Sequence, residues 1–343
     1  WSPRPYVPHE GGFWQVVGTS AGLILAATMI RNPWLAIAVA WLGLMPWWGM
    51  FLSIRGWVRP IESWQNQAST QLFILVGITC YLALLRWWTP ERFTGWIWVL
   101  VGWVTINAAY GLYEATGRLP WFFKGIKGLG LVGLTQSPPF LACLLALGAL
   151  SALTIGWPWV LLLPFWAVVF WRIPSGRYAV LWALAQTVLA YAALRVHWAF
   201  ILAIVGLAAL PFHKRLRDVS AVACRRQALA GIWRGIRRTR GLGIGLGSIT
   251  VLAPNPNHPG FLWWASPHNE WAHLLFEAGP VPVLGFLGSI GTAAWYLTGA
   301  ADQTALLHIA FIAFYAMVYF PGRVPFMILT WLAALSYADS RIW

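Results

Sequence analysis

The sequence predicts an all-α, polytopic membrane protein, and three observations predict this class. Hydrophobic residues make up 59% of the 343 residues and charged residues only 9%, whereas roughly a quarter of a soluble domain is charged. Apolar runs of about 17–25 residues, long enough to cross the hydrocarbon core as helices, recur along almost the whole chain. The runs are continuous, as in FLACLLALGALSALTI at 140–155, and lack the alternation of an outer-membrane barrel strand.

Hydropathy and helix breakers predict eleven spans within a single transmembrane domain of residues 1–343. These spans are 14–30, 33–50, 70–88, 94–110, 130–153, 157–171, 177–194, 197–212, 271–297, 304–320 and 324–337. The span at 157–171 is short and contains Pro158 and Pro164, and the prolines of QSPPF at 136–140 break or kink the span before it. We therefore expect about 10–12 transmembrane helices. Many of the 27 Trp residues stand at run ends, as in MPWWGM at 45–50, which is typical of an interfacial belt.

The connection at 211–267 is long, basic at its start and rich in Gly, Pro and Asn further on. Between Lys214 and Arg240 it carries nine Lys or Arg residues and one acid, Asp218, which accounts for much of the net charge of +14. A segment this basic indicates an anionic partner: a nucleic acid, a phospholipid headgroup surface or a diphosphate-bearing substrate. The chain contains no recognisable DNA- or RNA-binding module, so we exclude nucleic acid. The other two partners stay open.

Two short motifs follow the basic segment. GLGIGLGS at 241–248 has glycine at alternate positions without the GxGxxG spacing of a dinucleotide site, and it predicts a hairpin or a substrate-cradling loop. SPHNEWAHLLFEAGP at 266–280 places His268 and Asn269 at the start of a helix, with His273 and Glu277 four residues apart on one face. The spacing is not HExxH and no third ligand is near, so we expect no metal, and we expect His273 to make a structural hydrogen bond.

The order of these features resembles the O-antigen ligase and O-antigen polymerase superfamily. CRRQALAGIWRGIRRTRGLGIGLGSI at 224–249 is similar to its Arg-led amphipathic helix and GvGlGsf-like turn, and PHNEWAHLLFEAGPVPVLGFL at 267–287 to its HNxxLxxlxExGxxG helix start. VGLTQSPPFLACLLAL at 132–147 and PSGRYAVLWAL at 174–184 resemble two further motifs. The resemblance covers about 107–337 and is closest at 225–285.

The resemblance implies a membrane glycosyltransferase that moves a glycan from undecaprenyl diphosphate to an acceptor hydroxyl, with inversion and without a cofactor or essential metal. It implies His268 as the catalytic residue, with Arg177 and Arg225 or Arg226 binding the diphosphate. We assign supporting roles to Asn269, Glu277, Gly243 and Gly245. The expected partners are an undecaprenyl-diphosphate-linked glycan donor, a lipid A–core or other hydroxyl acceptor and the lipid bilayer.

The residue types suit this chemistry on their own terms. Arginine guanidinium groups remain charged and bind diphosphate oxygens bidentately, so they stabilise the charge that develops on the leaving group. His268 is expected to act as the base for the acceptor hydroxyl, because its ordinary pKa lies near the operating pH. Glu277 is the alternative base.

The implied location is the bacterial inner membrane, multi-pass, with the long loop and active site facing the periplasm or cell exterior. Alternation over eleven spans then places seven further basic residues on the loop side, against the positive-inside tendency: Arg55, Arg59, Arg118, Lys124, Lys127, Arg172 and Arg177. Within the superfamily, a repeat-unit polymerase or a protein O-oligosaccharyltransferase is equally compatible with the sequence. From another class, a lipid-linked glycan transporter or a lipid-binding protein is the alternative, although the sequence lacks the internal symmetry of a repeat-built transporter.

Overall fold

The computed structural model describes parts of nearly every predicted span. The described residues are 10–54, 64–116, 134, 138–156, 158–173, 177–196, 229–237, 239–243, 245–246, 251–252, 263–264, 269–297, 300–317 and 325–343. The predicted span 197–212 and the predicted site residues Arg225, Arg226 and His268 lie outside the described residues.

Twelve helices account for most of the described residues. They are α1 (Glu10–Met29), α2 (Pro33–Ile54), α3 (Trp64–Leu85), α4 (Pro90–Ala115), α5 (Pro138–Ile155), α6 (Leu163–Arg172, after a 3₁₀ turn at Trp159–Leu162), α7 (Arg177–Val196), α8 (229–237), α9 (Glu270–Ala278), α10 (Pro280–Tyr296), α11 (Ala300–Ala316) and α12 (Pro325–Ile342). One antiparallel pair of two-residue strands joins β1 (Val251–Leu252) to β2 (Trp263–Trp264). Apart from that pair, the all-α prediction is confirmed for the described residues.

Four of the described helices are long and apolar enough to cross a membrane. They contain the segments Gly12–Met29, Pro33–Phe51, Gln67–Leu85 and Pro90–Ala115. The side chains they expose include large apolar ones such as Leu25, Phe73 and Val99, and this surface suits lipid contact better than water. The total of 10–12 spans and the long extracytoplasmic loop stay predictions.

The predicted span 271–297 is not one helix. Its first part is α9, which ends at Gly279, and α10 begins at Pro280. Gly279 has a φ of 77°, a left-handed conformation that suits glycine, and the following proline cannot continue the preceding helix. Hydropathy alone misses the division because apolar residues continue through it.

Helices α2 and α10 run in opposite directions. Gly285 of α10 packs so closely on α2 that a Cβ atom would lie 2.6 Å from the Trp34 carbonyl oxygen, while Trp41 contacts Ala278, so α10 runs antiparallel to α2. We call the end of the bundle where α2 finishes and α7 begins the upper end. The lower end is where α2 begins and α12 finishes.

A single buried amide joins the first three helices. Gln71 of α3 accepts a hydrogen bond from Thr19 of α1 (2.8 Å) and donates to Ser20 of α1 (3.2 Å) and to the Leu42 carbonyl of α2 (3.1 Å). Both polar atoms of this amide are therefore satisfied inside the bundle, where an unpaired amide would be costly.

The lower end is held by a network of polar side chains. The buried Asp339 carboxylate of α12 accepts hydrogen bonds from Tyr81 of α3 and from Asn32 Nδ2 (2.9 Å), and Asn32 Oδ1 accepts from the Trp34 N–H at the start of α2. Burial raises the pKa of Asp339, which lies beyond the predicted span 324–337, to about 6, although both hydrogen bonds lower it.

A second contact at this end joins α11 to α12. Tyr337 donates a 2.8 Å hydrogen bond to Asp302, and Arg341 Nε lies 3.7 Å from the same carboxylate.

A smaller polar group lies in the middle of the bundle. Ser151 Oγ of α5 is 2.9 Å from His308 Nε2 of α11, and both side chains are fully buried. Gln186 of α7 is also fully buried, and neither atom of its amide has a hydrogen-bond partner among the described residues. Along α7, Gln186 lies between Trp182, which contacts Phe314 of α11, and Tyr191, which donates a hydrogen bond to Gln303 of α11. Gln186 therefore lies at about the same depth in the bundle as His308.

Candidate functional site

The start of helix α9 is set by Asn269. Its backbone is extended (φ −150°, ψ 104°), and its side-chain oxygen accepts a 2.8 Å hydrogen bond from the Ala272 N–H. This is the geometry of an N-cap, which satisfies a donor that the first helical turn leaves unpaired. The cap fixes Glu270 as the first residue of α9. The supporting role of Asn269 in the reaction stays a prediction.

His273 and Glu277 form a buried pair on the inner side of α9. His273 Nε2 lies 3.1 Å from Glu277 Oε1, as the four-residue spacing predicts, and Glu270 Oε1 lies 3.9 Å from His273 Nδ1. The imidazole therefore stands between two carboxylates of its own helix. In this arrangement His273 orients the Glu277 side chain. Glu277 is buried, with 5% of its surface exposed.

The glycine-rich turn lies directly against the C-terminal end of α9. The Gly245 N–H donates a 2.9 Å hydrogen bond to the Glu277 carbonyl oxygen. Gly243 has a φ of 81°, and a Cβ atom there would lie 2.8 Å from the Glu277 oxygen and 2.8 Å from the Gly279 nitrogen. The alternating glycines thus permit a backbone-to-backbone contact that any side chain at Gly243 would prevent.

Two tryptophans of α2 complete this contact. Trp41 Nε1 donates to the Ala278 carbonyl (2.7 Å), and Trp48 Nε1 donates to the Leu242 carbonyl (3.0 Å). Both indoles are partly buried donors that satisfy carbonyl groups at the end of α9 and in the turn. The position of Trp48 at the end of an apolar run predicts a place in the interfacial belt. The sequence does not predict its role as a donor, because its partner lies 194 residues away.

Helix α8 packs against α9 on the other side. A Cβ atom at Gly235 would overlap the Phe276 ring, so glycine allows the close approach. Ile232 and Ile236 face inward with Ala272 in a small apolar cluster. The opposite face of α8 exposes Trp233, Arg234 and Arg237. The basic helix, the glycine turn and the helix that follows His268 are therefore one packed unit.

Arg177 begins α7 at the same upper end. It donates a 2.8 Å hydrogen bond to the Trp171 carbonyl, and its guanidinium lies 5.6 Å from the centre of the Trp171 ring. Trp271 of α9 donates to the Ala313 carbonyl of α11, and Trp182 of α7 contacts the next residue, Phe314. The upper part of α11 therefore lies between α9 and the first turns of α7, which places Arg177 at the end of the bundle that carries the turn.

The structure brings together some predicted residues and leaves others undescribed. Asn269, Glu277, Gly243 and Gly245 belong to the packed unit, and Arg177 lies at the same end. Arg225, Arg226 and His268 lie outside the described residues. The sequence does not mark Gly235, Gly279, Trp41 or Trp48 as site residues; for Gly279, the signal is the proline that follows it.

Among the described residues, no group of three or more His, Cys, Asp and Glu side chains is arranged to hold a metal ion. The chain matches no protein-family model, no curated protein and no solved structure.

Proposed function

We propose that the chain is a polytopic membrane glycosyltransferase that moves a glycan from undecaprenyl diphosphate to an acceptor hydroxyl. The observation that supports this most is the packing of α8, the glycine turn and α9 into one unit at the upper end. These are the segments in which the sequence most closely resembles the O-antigen ligase superfamily. Arg177, which belongs to a further motif of the resemblance, lies at the same end.

In the proposed reaction, the acceptor oxygen attacks the anomeric carbon of the donor sugar. The bond between that carbon and the diphosphate oxygen breaks, and undecaprenyl diphosphate leaves with the electron pair. His268 takes the proton of the acceptor hydroxyl, while Arg177 and Arg225 or Arg226 stabilise the charge on the leaving diphosphate. A single displacement inverts the anomeric centre. Glu277 is held by His273, so an orienting role suits it better than that of the base.

The proposed location is the bacterial inner membrane, with the upper end facing the periplasm or cell exterior. The acceptor is lipid A–core or another hydroxyl-bearing molecule. A growing glycan would make the enzyme a repeat-unit polymerase, and a protein acceptor would make it a protein O-oligosaccharyltransferase.

A second candidate function is transport or binding of the lipid-linked glycan without transfer. Two observations favour it: the buried contact of Ser151 with His308 and the fully buried amide of Gln186. Polar groups inside a membrane bundle often line a substrate or proton pathway. In that case the arginines of the upper end would hold the diphosphate headgroup.

A reconstituted transfer assay tests the proposal. Purified protein is given undecaprenyl-diphosphate-linked oligosaccharide and a panel of lipid A–core, glycan and peptide acceptors, and the products are read by mass spectrometry. The His268→Ala variant should be folded and should bind donor, but its turnover should fall by about 10³-fold or more, as for loss of a catalytic base together with its positioning. His258→Ala, in the same predicted loop, is the matched control and should retain activity.

A product that requires His268 would support the enzyme, and the acceptor used would name its class. Turnover that persists in His268→Ala would remove this residue from the mechanism. Donor binding without any product would favour the transport or binding function.

A further inference from the structure

We propose that α8 is a docking surface for anionic phospholipid headgroups of the bilayer, formed by Trp233, Arg234 and Arg237. This surface, called here the outer face of α8, consists of residues other than those proposed to bind the donor diphosphate. The inference does not require that the chain be a transferase.

The rotation of α8 about its own axis is fixed by its contacts with α9. Ile232 is 1% exposed and Ile236 is 7% exposed, and both pack in the cluster with Ala272. Gly235 lies so close to the Phe276 ring that a side chain there would require the ring to move. With three positions of one face held against α9, the helix cannot turn its basic residues inward.

The outer face therefore combines an aromatic ring with two cations. Trp233 is 48% exposed, and Arg234 and Arg237 are both exposed. Residues 233 and 237 are four apart, so the indole and one guanidinium are neighbours on the same side of the helix. An indole at headgroup level beside arginines that reach lipid phosphates is the composition of a membrane-surface contact.

The depth of α8 also fits the headgroup region. The turn that follows α8 is tied to α2, since Trp48 Nε1 donates to the Leu242 carbonyl. Trp48 lies two residues before the end of the predicted span 33–50, which is about 3 Å along a helix axis. The end of α8 therefore stands close to the boundary at which the hydrocarbon core gives way to headgroups.

The shape of the surface favours phospholipid over the donor diphosphate. Charge stabilisation in a transfer reaction depends on an enclosed site in which water is excluded. The outer face of α8 is convex and exposed. Its arginines can therefore contact the phosphates of lipid headgroups that lie beside the helix. Binding of this kind is electrostatic and weakens as salt is raised.

Native mass spectrometry of the full chain in a neutral detergent tests the proposal. The protein is titrated with phosphatidylglycerol and, separately, with phosphatidylcholine, and the bound lipids are counted. The test variant is Arg234→Gln/Arg237→Gln, and the control is Arg234→Lys/Arg237→Lys, which keeps both positive charges at the same positions. Binding of undecaprenyl diphosphate is measured on each protein in parallel.

The wild-type chain should prefer phosphatidylglycerol, and the preference should fall as salt is raised from 50 to about 500 mM. A surface arginine is expected to contribute about fivefold, so the test variant should lose roughly 25-fold and the control little. An unchanged preference in the test variant, or an equal loss in the control, would overturn the proposal. So would a loss of undecaprenyl diphosphate binding with phosphatidylglycerol binding intact. If the test variant fails to fold, a wild-type preference that salt does not weaken overturns it.

Discussion

The two ends of the bundle are held together by different kinds of contact. At the upper end, the glycine turn, α9 and α2 are joined through backbone groups and two indole N–H donors. At the lower end, the joints are polar side chains, with Asp339 bound to Tyr81 and Asn32. Each end buries a carboxylate, but Glu277 of the upper end pairs with His273 of its own helix, whereas Asp339 of the lower end joins α12 to α3 and to Asn32 before α2. The upper end also exposes charged groups such as Arg234. Stability is expected to depend more on the lower end, and ligand binding on the upper.

The largest effect on stability is expected from Asp339→Ala. The substitution leaves the Tyr81 hydroxyl and the Asn32 amide without their acceptor, and each unpaired buried donor costs about 1–3 kcal/mol. The free energy of unfolding should fall by about 3–4 kcal/mol. Thermal unfolding in detergent measures this, and donor binding by the variant at low temperature should remain. Asp339→Asn, which keeps an acceptor of the same shape, is the control and should lose much less. Equal losses in the two variants would argue against the hydrogen bonds as the cause.

Gly243→Ala should lower the free energy of unfolding less than Asp339→Ala does, but it should reduce glycan transfer. The methyl group meets the Glu277 oxygen and the Gly279 nitrogen, and alanine is strained at a φ of 81°. The overlap and the backbone strain together should lower the free energy of unfolding by about 2–3 kcal/mol. The transfer assay and an unfolding curve are measured on the same protein.

Gly241→Ala separates these two causes. Gly241 also has a positive φ, of 74°, but nothing lies within 4 Å of its Cβ position, so this variant carries the backbone strain without the overlap. If Gly241→Ala loses as much transfer as Gly243→Ala, close packing on α9 is not what the turn requires.

The smallest effect is a pH dependence of stability that belongs to the lower end. Burial raises the pKa of Asp339 from 3.8 to about 6, so folding favours its protonated form. This contribution is complete below pH 4 and is lost as the pH rises through 6, with a size on the order of 2 kcal/mol. Unfolding curves of the wild type and of Asp339→Asn between pH 4 and 8 measure it. A difference between the two proteins that does not change with pH would contradict the assignment.

Sequence reasoning predicted the helical class and most helix positions, because long apolar runs have few other structures in a membrane. It joined α9 to α10, since the apolar pattern continues through Gly279 while the backbone reverses its conformation there. The lower-end network was not predicted. Asp339 lies outside the predicted span, and its partners are 258 and 307 residues away in the chain.

For the candidate site, the order of motifs along the chain was predictable, but the contacts that join them were not. The alternating glycines indicate that the backbone of this turn approaches another segment closely, but they do not identify that segment. The packing of Gly243 on Glu277 and of Gly235 on Phe276 depends on the three-dimensional arrangement of α8, α9 and α2.

The amide of Gln71 has a consequence for how the chain is assembled during synthesis. Its partners, Thr19, Ser20 and Leu42, all precede it in the sequence. When the ribosome delivers α3 to the bilayer, the helices that satisfy this amide have already been made. The buried amide of α3 can therefore be satisfied as soon as this helix enters the bilayer, because α1 and α2 are already available to it.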